Sequence, residues 1–215
     1  RRRAPFALPD IAIRRDADGT VHLRSRTPAA PHPETIVDHL DRWAAWVPDR
    51  ALVAERAGDG WRAVSFAEAA QASRRIATAL IERGVASVMA LSENSVDQAL
   101  LMLGAFRAGV PFCPVSPAYA LLSRDFDKLK QIVAIVRPGL VLAEGAERFE
   151  RARSAVDFAG AAFVSSVAGL AETAAGDLPE VTADKVAKIL FTSGSTGMPK
   201  GVINTHRMLA SNQAA

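Results

Sequence analysis

The sequence predicts an α/β fold in which parallel strands are covered on both faces by helices, and three observations carry that prediction. Short, almost wholly apolar runs such as those at residues 88–91, 140–143 and 186–192 alternate with segments of ten or more residues whose apolar positions recur every three or four. Serine or threonine opens most of the helical segments and glycine or proline closes them. A chain of 215 residues, 49% of them hydrophobic, has enough apolar surface for one large core or two small ones.

Taken in order, residues 1–34 read as a solvated N-terminal extension. Ile36, Leu40, Trp43 and Val47, spaced four, three and four behind a Thr35/Asp38 capping pair and ahead of Pro48, predict an amphipathic helix. The string ALVAERAGDGWRAV predicts a hairpin turning at Gly58-Asp59-Gly60. Ser65 with Glu68 caps a second helix, whose apolar face runs Phe66, Ala69, Ser73, Ile76, Leu80 and which Gly84 ends.

From there strands and helices alternate. Residues 88–91 form a strand; Ser95 starts a helix carrying Val96, Leu100, Leu103 and Phe106, and Gly109 closes it. VPFCPV follows as a strand whose two prolines predict an edge position or an early end. Ser123 opens a helix with Phe126, Leu129, Ile132 and Val136 that stops at Pro138-Gly139. LVLA is strand, 146–158 helix, AAFVSS strand and VAKILFT strand, with AETAAGDLPEVTAD as a polar linker before the last. This order is that of parallel βαβ units.

Charge argues against a nucleic-acid partner. Lys and Arg number 26 against 23 Asp and Glu, and the excess is local, with seven arginines and three aspartates in the first 26 residues. The single cysteine, Cys113, excludes an internal disulfide, fits a reducing compartment and reads as a small buried residue. No apolar run approaches the ~18 residues of a membrane span, and the start lacks the apolar core of a signal peptide, so the expected location is cytoplasmic. His22, His32 and His39 form no metal spacing. Asp125 and Asp127 read as surface charges on different faces of a helix, and His206 as a solvated residue in the first turn of the helix after the loop described next.

That loop is the most specific feature. LFTSGSTGMPKGVINTHRML sets an apolar strand before a run of small hydroxyl residues and glycines, then a lysine, then a helix-like segment. Strand, loop and helix N-terminus is where open α/β sheets hold anions. Gly194 and Gly197 remove Cβ atoms and permit left-handed dihedrals; Thr192, Ser193, Ser195 and Thr196 offer hydroxyls; Lys200 adds a mobile charge. The pattern reads as a polyphosphate grip. It is not a Walker A loop, because Met198 and Pro199 separate Gly197 from Lys200 and Gly201 follows.

TSGSTGMPKG, residues 192–201, resembles the phosphate-loop signature of the adenylate-forming superfamily, which comprises acyl- and aryl-CoA synthetases, luciferases and the adenylation domains of peptide synthetases. The strings LSENSVDQALLMLGAFRAGVPFCPVSPAY and KGVINTHRMLASNQ further resemble the feruloyl-CoA synthases. The resemblance runs from about residue 35 to the end, so it implies residues 35–215 to be a partial AMP-binding domain, the incomplete front part of the large N-terminal domain of such an enzyme. It implies ATP, Mg²⁺ and coenzyme A as co-substrates and an aromatic carboxylic acid as the molecule activated. A carboxylate would attack the ATP α-phosphate to give an acyl-adenylate and pyrophosphate, and the thiol of coenzyme A would then displace AMP. By the same resemblance Thr192, Ser193, Gly194, Ser195, Thr196 and Lys200 contact ATP phosphates, and Gly197, Pro199 and Gly201 shape the loop. Thr192 also lies near the AMP phosphate, so Thr192 and Lys200 are the expected catalytic residues. The family's adenine, ribose and hinge motifs do not occur in this chain, which is therefore expected to complete neither half-reaction alone. An amino-acid-activating adenylation domain and a non-catalytic nucleotide-binding fragment stay open as alternatives.

Overall fold

The computed structural model describes residues 10–28, 31–193 and 197–214. Two strands, β1 (Ile11–Arg15) and β2 (Val21–Ser25), form an exposed antiparallel hairpin within the expected N-terminal extension. Helix α1 (Ile36–Trp46) follows, then the hairpin β3 (Ala51–Ala57) and β4 (Gly60–Ser65), then α2 (Phe66–Glu82). The alternating region is β5 (Val88–Ala90), α3 (Val96–Ala108), β6 (Phe112–Pro114), α4 (Ala118–Leu121), α5 (Asp127–Val136) and β7 (Leu140–Leu142). It continues through α6 (Glu150–Ala155), β8 (Ala162–Val164) and α7 (Ala168–Ala171) to β9 (Val186–Ser193), β10 (Pro199–Thr205) and α8 (His206–Ala214).

One six-stranded sheet, in the order β10-β9-β6-β5-β7-β8, organises the chain. The five strands from β9 to β8 are mutually parallel, and β10 is antiparallel at the edge beside β9. Both faces are buried, as a parallel sheet with helical crossovers requires. Val88, Ala90, Phe112, Leu140 and Leu142 pack on one face against Leu40 of α1, Ile76 and Leu80 of α2, and Leu101 and Phe106 of α3. Met89, Leu91, Cys113, Val115 and Val141 face the other way, against Leu129, Ile132 and Val133 of α5 and Ala152 of α6. Burying the Cys113 thiol pushes its pKa up to about 12, so it is an inert core residue at neutral pH.

The predicted caps hold the first helices. Thr35 with Asp38 and Ser65 with Glu68 form reciprocal capping boxes, and the Ser95 hydroxyl accepts the Gln98 N–H at 3.0 Å. Gly109 ends α3 in the left-handed region at φ 66°. Helices α2 and α3 cross closely at Gly104, where an added Cβ would lie 2.7 Å from Ile76 Cβ. Arg107 of α3, 6% exposed, ties the three helices on this face together. Its Nε donates to Ser73 Oγ of α2 at 2.8 Å and its Nη1 to Asp41 Oδ2 of α1 at 2.9 Å, with Nη2 on the other carboxylate oxygen.

Several expectations need correcting. VPFCPV is not at an edge, because β6 lies between β5 and β9. Its prolines act by shortening it instead. Pro111 O and Val115 N bond to β5, so Pro114, one residue out of phase, faces β9, where the ladder is the single Phe112–Lys188 pair. Helix α5 starts at Asp127, not Ser123, whose hydroxyl accepts the Phe126 N–H at 3.0 Å. Asp125 precedes that helix and accepts the Asp127 N–H at 3.2 Å in a turn, so it is not a helix-face charge. The segment 146–158 splits into a 3₁₀ turn, Ala146–Phe149, and the short α6. The polar linker is strapped down: Gly176 N–H bonds to Thr78 Oγ1 of α2 at 3.0 Å, Leu178 packs on the core and Ala183 is buried.

Candidate functional site

The largest correction falls on the phosphate-loop candidate. Strand β9 is not followed by a helix N-terminus; the chain reverses and returns as β10, pairing from Ser193↔Pro199 to Val186↔Thr205. The helix begins only at His206. The loop therefore joins the two strands of a β-hairpin, and no helix dipole points at it from the end of β9. Gly194, Ser195 and Thr196 lie outside the described residues, as does the side chain of Ser193.

The described flanks show what the hairpin does. Thr192 and Lys200 are direct cross-strand partners, so their side chains leave the same face of the hairpin side by side. Both are exposed, and Lys200 makes no ion pair among the described residues. On the other face Pro199 is buried and the Phe191 ring lies against Gly201, where an added Cβ would lie 3.4 Å from Phe191 Cζ and 3.2 Å from Ile189 Cγ2. Gly197 has φ +80° with open space around it, so its requirement is conformational. One hydroxyl and one ammonium thus flank the glycine loop on its open side.

Because β9 runs parallel to β6, its carboxyl end emerges at the same edge of the sheet as those of β5 and β6. There a cavity of about 350 Å³ is lined by Ser92, Glu93, Asn94 and Gln98 after β5, by Pro114 at the end of β6 and by residues 115–117 after it. Beside it, the N-terminus of α3 is held by a charge cluster around the buried Asp97 that the sequence did not disclose. Asp97, 3% exposed, accepts from Arg62 Nη2 at 2.6 Å and from the Val167 N–H at 2.9 Å, while Glu55 accepts from Arg62 at 3.0 Å and from the Val96 N–H at 2.9 Å. Burial alone would raise the Asp97 carboxyl; the Val167 and Arg62 hydrogen bonds outweigh it and hold the group below its usual range. Glu144, after β7, is pushed above the usual glutamate range by burial, with the Ser95 hydroxyl at 2.7 Å opposing and Asp97 and Glu55 reinforcing. An aspartate in a helix's first turn reads locally as a dipole partner, and nothing local links it to an arginine 35 residues earlier.

His206 is a further correction: it is buried against Phe106, not solvated. No group of three or more His, Cys, Asp or Glu able to hold a metal occurs among the described residues. A divalent cation accompanying a polyphosphate would fit here only by taking its ligands from phosphate oxygens and hydroxyls such as that of Thr192. No described helix is long and apolar enough to cross a membrane.

A mostly parallel sheet with this edge hairpin is the fold of the front part of adenylate-forming enzymes. Residues 40–215 match the family described as AMP-binding enzyme, and the chain belongs to it. It is 31% identical over 190 residues to a probable non-canonical nonribosomal peptide synthetase, CymA, of Salinispora arenicola, with 85% of this chain and 2% of that protein aligned. The solved structure of VinN superposes with a TM-score of 0.71 at 24% identity, covering 87% of this chain and 47% of the other. A Mycobacterium tuberculosis fatty acyl CoA synthetase superposes at 0.65 with 25% identity, covering 80% and 35%. The chain thus spans less than half of each of these proteins.

Proposed function

We propose that the chain is the ATP-phosphate-gripping part of an acid-activating ligase, with Thr192, Ser193, Gly194, Ser195, Thr196, Gly197 and Lys200 holding the triphosphate at the tip of the β9–β10 hairpin. The observation that carries this reading is the cross-strand pairing of Thr192 with Lys200 across a loop whose Gly197 is left-handed, at the carboxyl edge of a parallel sheet. A leaving pyrophosphate gathers negative charge, and fixed N–H donors with an adjacent ammonium stabilise that charge without reorganising. Mg²⁺, when bound with the nucleotide, supplies further charge neutralisation at the phosphate oxygens. Lys200 orients the outer phosphates, and Thr192 offers its hydroxyl next to it.

For the acid, the reading is a hydroxycinnamate of the ferulate type, passed on to coenzyme A, and it rests on the strings at 91–119 and 200–213. A second reading, activation of an amino acid for transfer to a carrier protein, is favoured by the peptide synthetases among the relatives. ATP–pyrophosphate exchange by the full-length gene product decides between them. Ferulate, p-coumarate and caffeate are expected to drive exchange far faster than amino acids or long-chain fatty acids. Fastest exchange with an amino acid would establish the second reading, and no exchange with any acid would defeat both.

A further inference from the structure

His206 opens α8 and is 0% exposed, yet neither of its ring nitrogens has a hydrogen-bond partner among the described residues. Its ring meets Phe106 of α3 edge-on, with centroids 5.4 Å apart and planes at 75°. The backbone around it is a junction. His206 N–H donates to Lys185 O at 3.1 Å, Arg207 N–H donates to Ala183 O at 2.7 Å, and Thr205 pairs with Val186 at the open end of the β9–β10 hairpin. With Leu209 and Ala210 of the same helix, the imidazole therefore seats the start of α8 in the core, its ring against Phe106 of α3.

We propose that His206 is a positioning residue, a neutral imidazole plug whose protonation unseats α8 and the base of the β9–β10 hairpin from α3. A neutral ring in this place already leaves a donor and an acceptor unpaired. The cation would bury a full charge beside a phenyl ring, which is costlier still. Burial lowers the ring's proton affinity below the ordinary histidine value of 6.5; Asp38 on α1 opposes this and Lys185 on the strap reinforces it. On α1, His39 also has a buried Nε2 without a partner among the described residues, whereas the two arginines beside Phe106 and His206 in the chain are engaged. Arg107, next to Phe106 on α3, is held by Asp41 and Ser73, and Arg207 on α8 is held by Asp184 at 2.9 and 3.2 Å.

The direction follows from linkage. An unseated ring titrates near 6.5 and the seated ring below it, so between those values the unseated state binds more protons. Seating is fully favoured above about pH 6.5 and weakens as pH falls, by at most about tenfold per pH unit for one proton. Because β10 runs from this base to Pro199, with one register shift between Asn204 and Thr205, the plug also governs how the phosphate loop is held. Only that last consequence rests on the function proposed above.

Hydrogen exchange, corrected for its intrinsic pH dependence, tests the plug without nucleotide. Amides of residues 199–214 in the wild-type chain are expected to open up to about fivefold more at pH 5.5 than at pH 6.5 and to change by less than about twofold between pH 6.5 and 7.5. His206→Phe keeps an aromatic ring against Phe106 but takes no proton, so its opening should not depend on pH; His39→Phe, on α1, should keep the wild-type response. If His206→Phe does not fold, imidazole nitrogen shifts in the wild type replace it. A His206 titration midpoint below 6.5 supports the plug, and one at or above 6.5 overturns it. An acid response that survives in His206→Phe, or none in the wild type, also overturns it. ATP binding absent at both pH values alongside the expected exchange pattern would remove the phosphate-grip reading and leave the plug standing.

Discussion

Lys200 and Thr192 face each other across one rung of a hairpin, and the proposed triphosphate grip rests on that pairing. Lys200→Ala in the full-length gene product removes the ammonium and leaves the loop's N–H donors in place. Losing one charged contact to a leaving group costs about 2–4 kcal/mol of transition-state stabilisation, or roughly 30- to 1,000-fold in rate. The loss should fall on adenylate formation. Thioester formation from a pre-made acyl-adenylate involves no pyrophosphate and should be nearly spared, while Lys200→Arg, with its charge kept but its reach changed, should recover part of the rate. Stopped assays of the two half-reactions measure this; equal slowing of both, or of neither, would mean that Lys200 does not hold pyrophosphate. The residue types of this clamp were legible in the sequence, but their facing geometry was not. A lysine eight positions after a threonine becomes its neighbour only once the strand register is known.

Helix boundaries were the most legible part of the elements, because a cap is a contact three residues long. Thr35 with Asp38, Ser65 with Glu68, Ser95 and Gly109 all act as their spacing predicts. What local pattern could not give was pairing. KGVINTH is short enough to read as the entry to a helix, and only its partner β9 makes it a strand. The same limit hid the interior place of β6, whose prolines read as an edge position or an early end, and only the early end holds. Gly104 is a case where two local effects oppose each other. Alanine in mid-helix gains about 0.5–1 kcal/mol over glycine from backbone entropy, yet its Cβ would overlap Ile76 where α2 crosses α3. Overpacking costs about 1–3 kcal/mol and should win, because Ile76 is itself 0% exposed and has no room to move. Gly104→Ala should lower the urea midpoint of the chain, and in a double-mutant cycle with Ile76→Ala, which removes the Cγ2 that the new methyl would meet, it should cost less than in the wild type; a midpoint that rises would show that the helices separate freely.

The α/β class and the strand–helix order were legible at the scale of the molecule, because apolar runs between capped helices leave few other ways to bury both faces of a sheet. The sheet's edges were not legible. Strand β8 ends one side, and β10 ends the other with β9 as its only partner among the described residues. On β10, Val202 and Ile203 are 47% and 56% exposed on opposite faces, and Met198 and Met208 beside it are exposed as well. An apolar edge strand offers unpaired N–H and C=O groups together with side chains that favour burial, the combination that draws strands of separate molecules together. The chain at high concentration is therefore expected to self-associate and to bind a hydrophobic dye. Ile203→Lys places a charge on that edge, opposite Ile189 and away from the face that carries Lys200, so it should lower both dye binding and the association state while leaving the circular dichroism unchanged. Sedimentation across a concentration series reads the outcome. A wild-type chain that stays monomeric and dye-silent would show that the β10 edge is covered in solution, and a lysine variant that associates as before would move the sticky surface elsewhere.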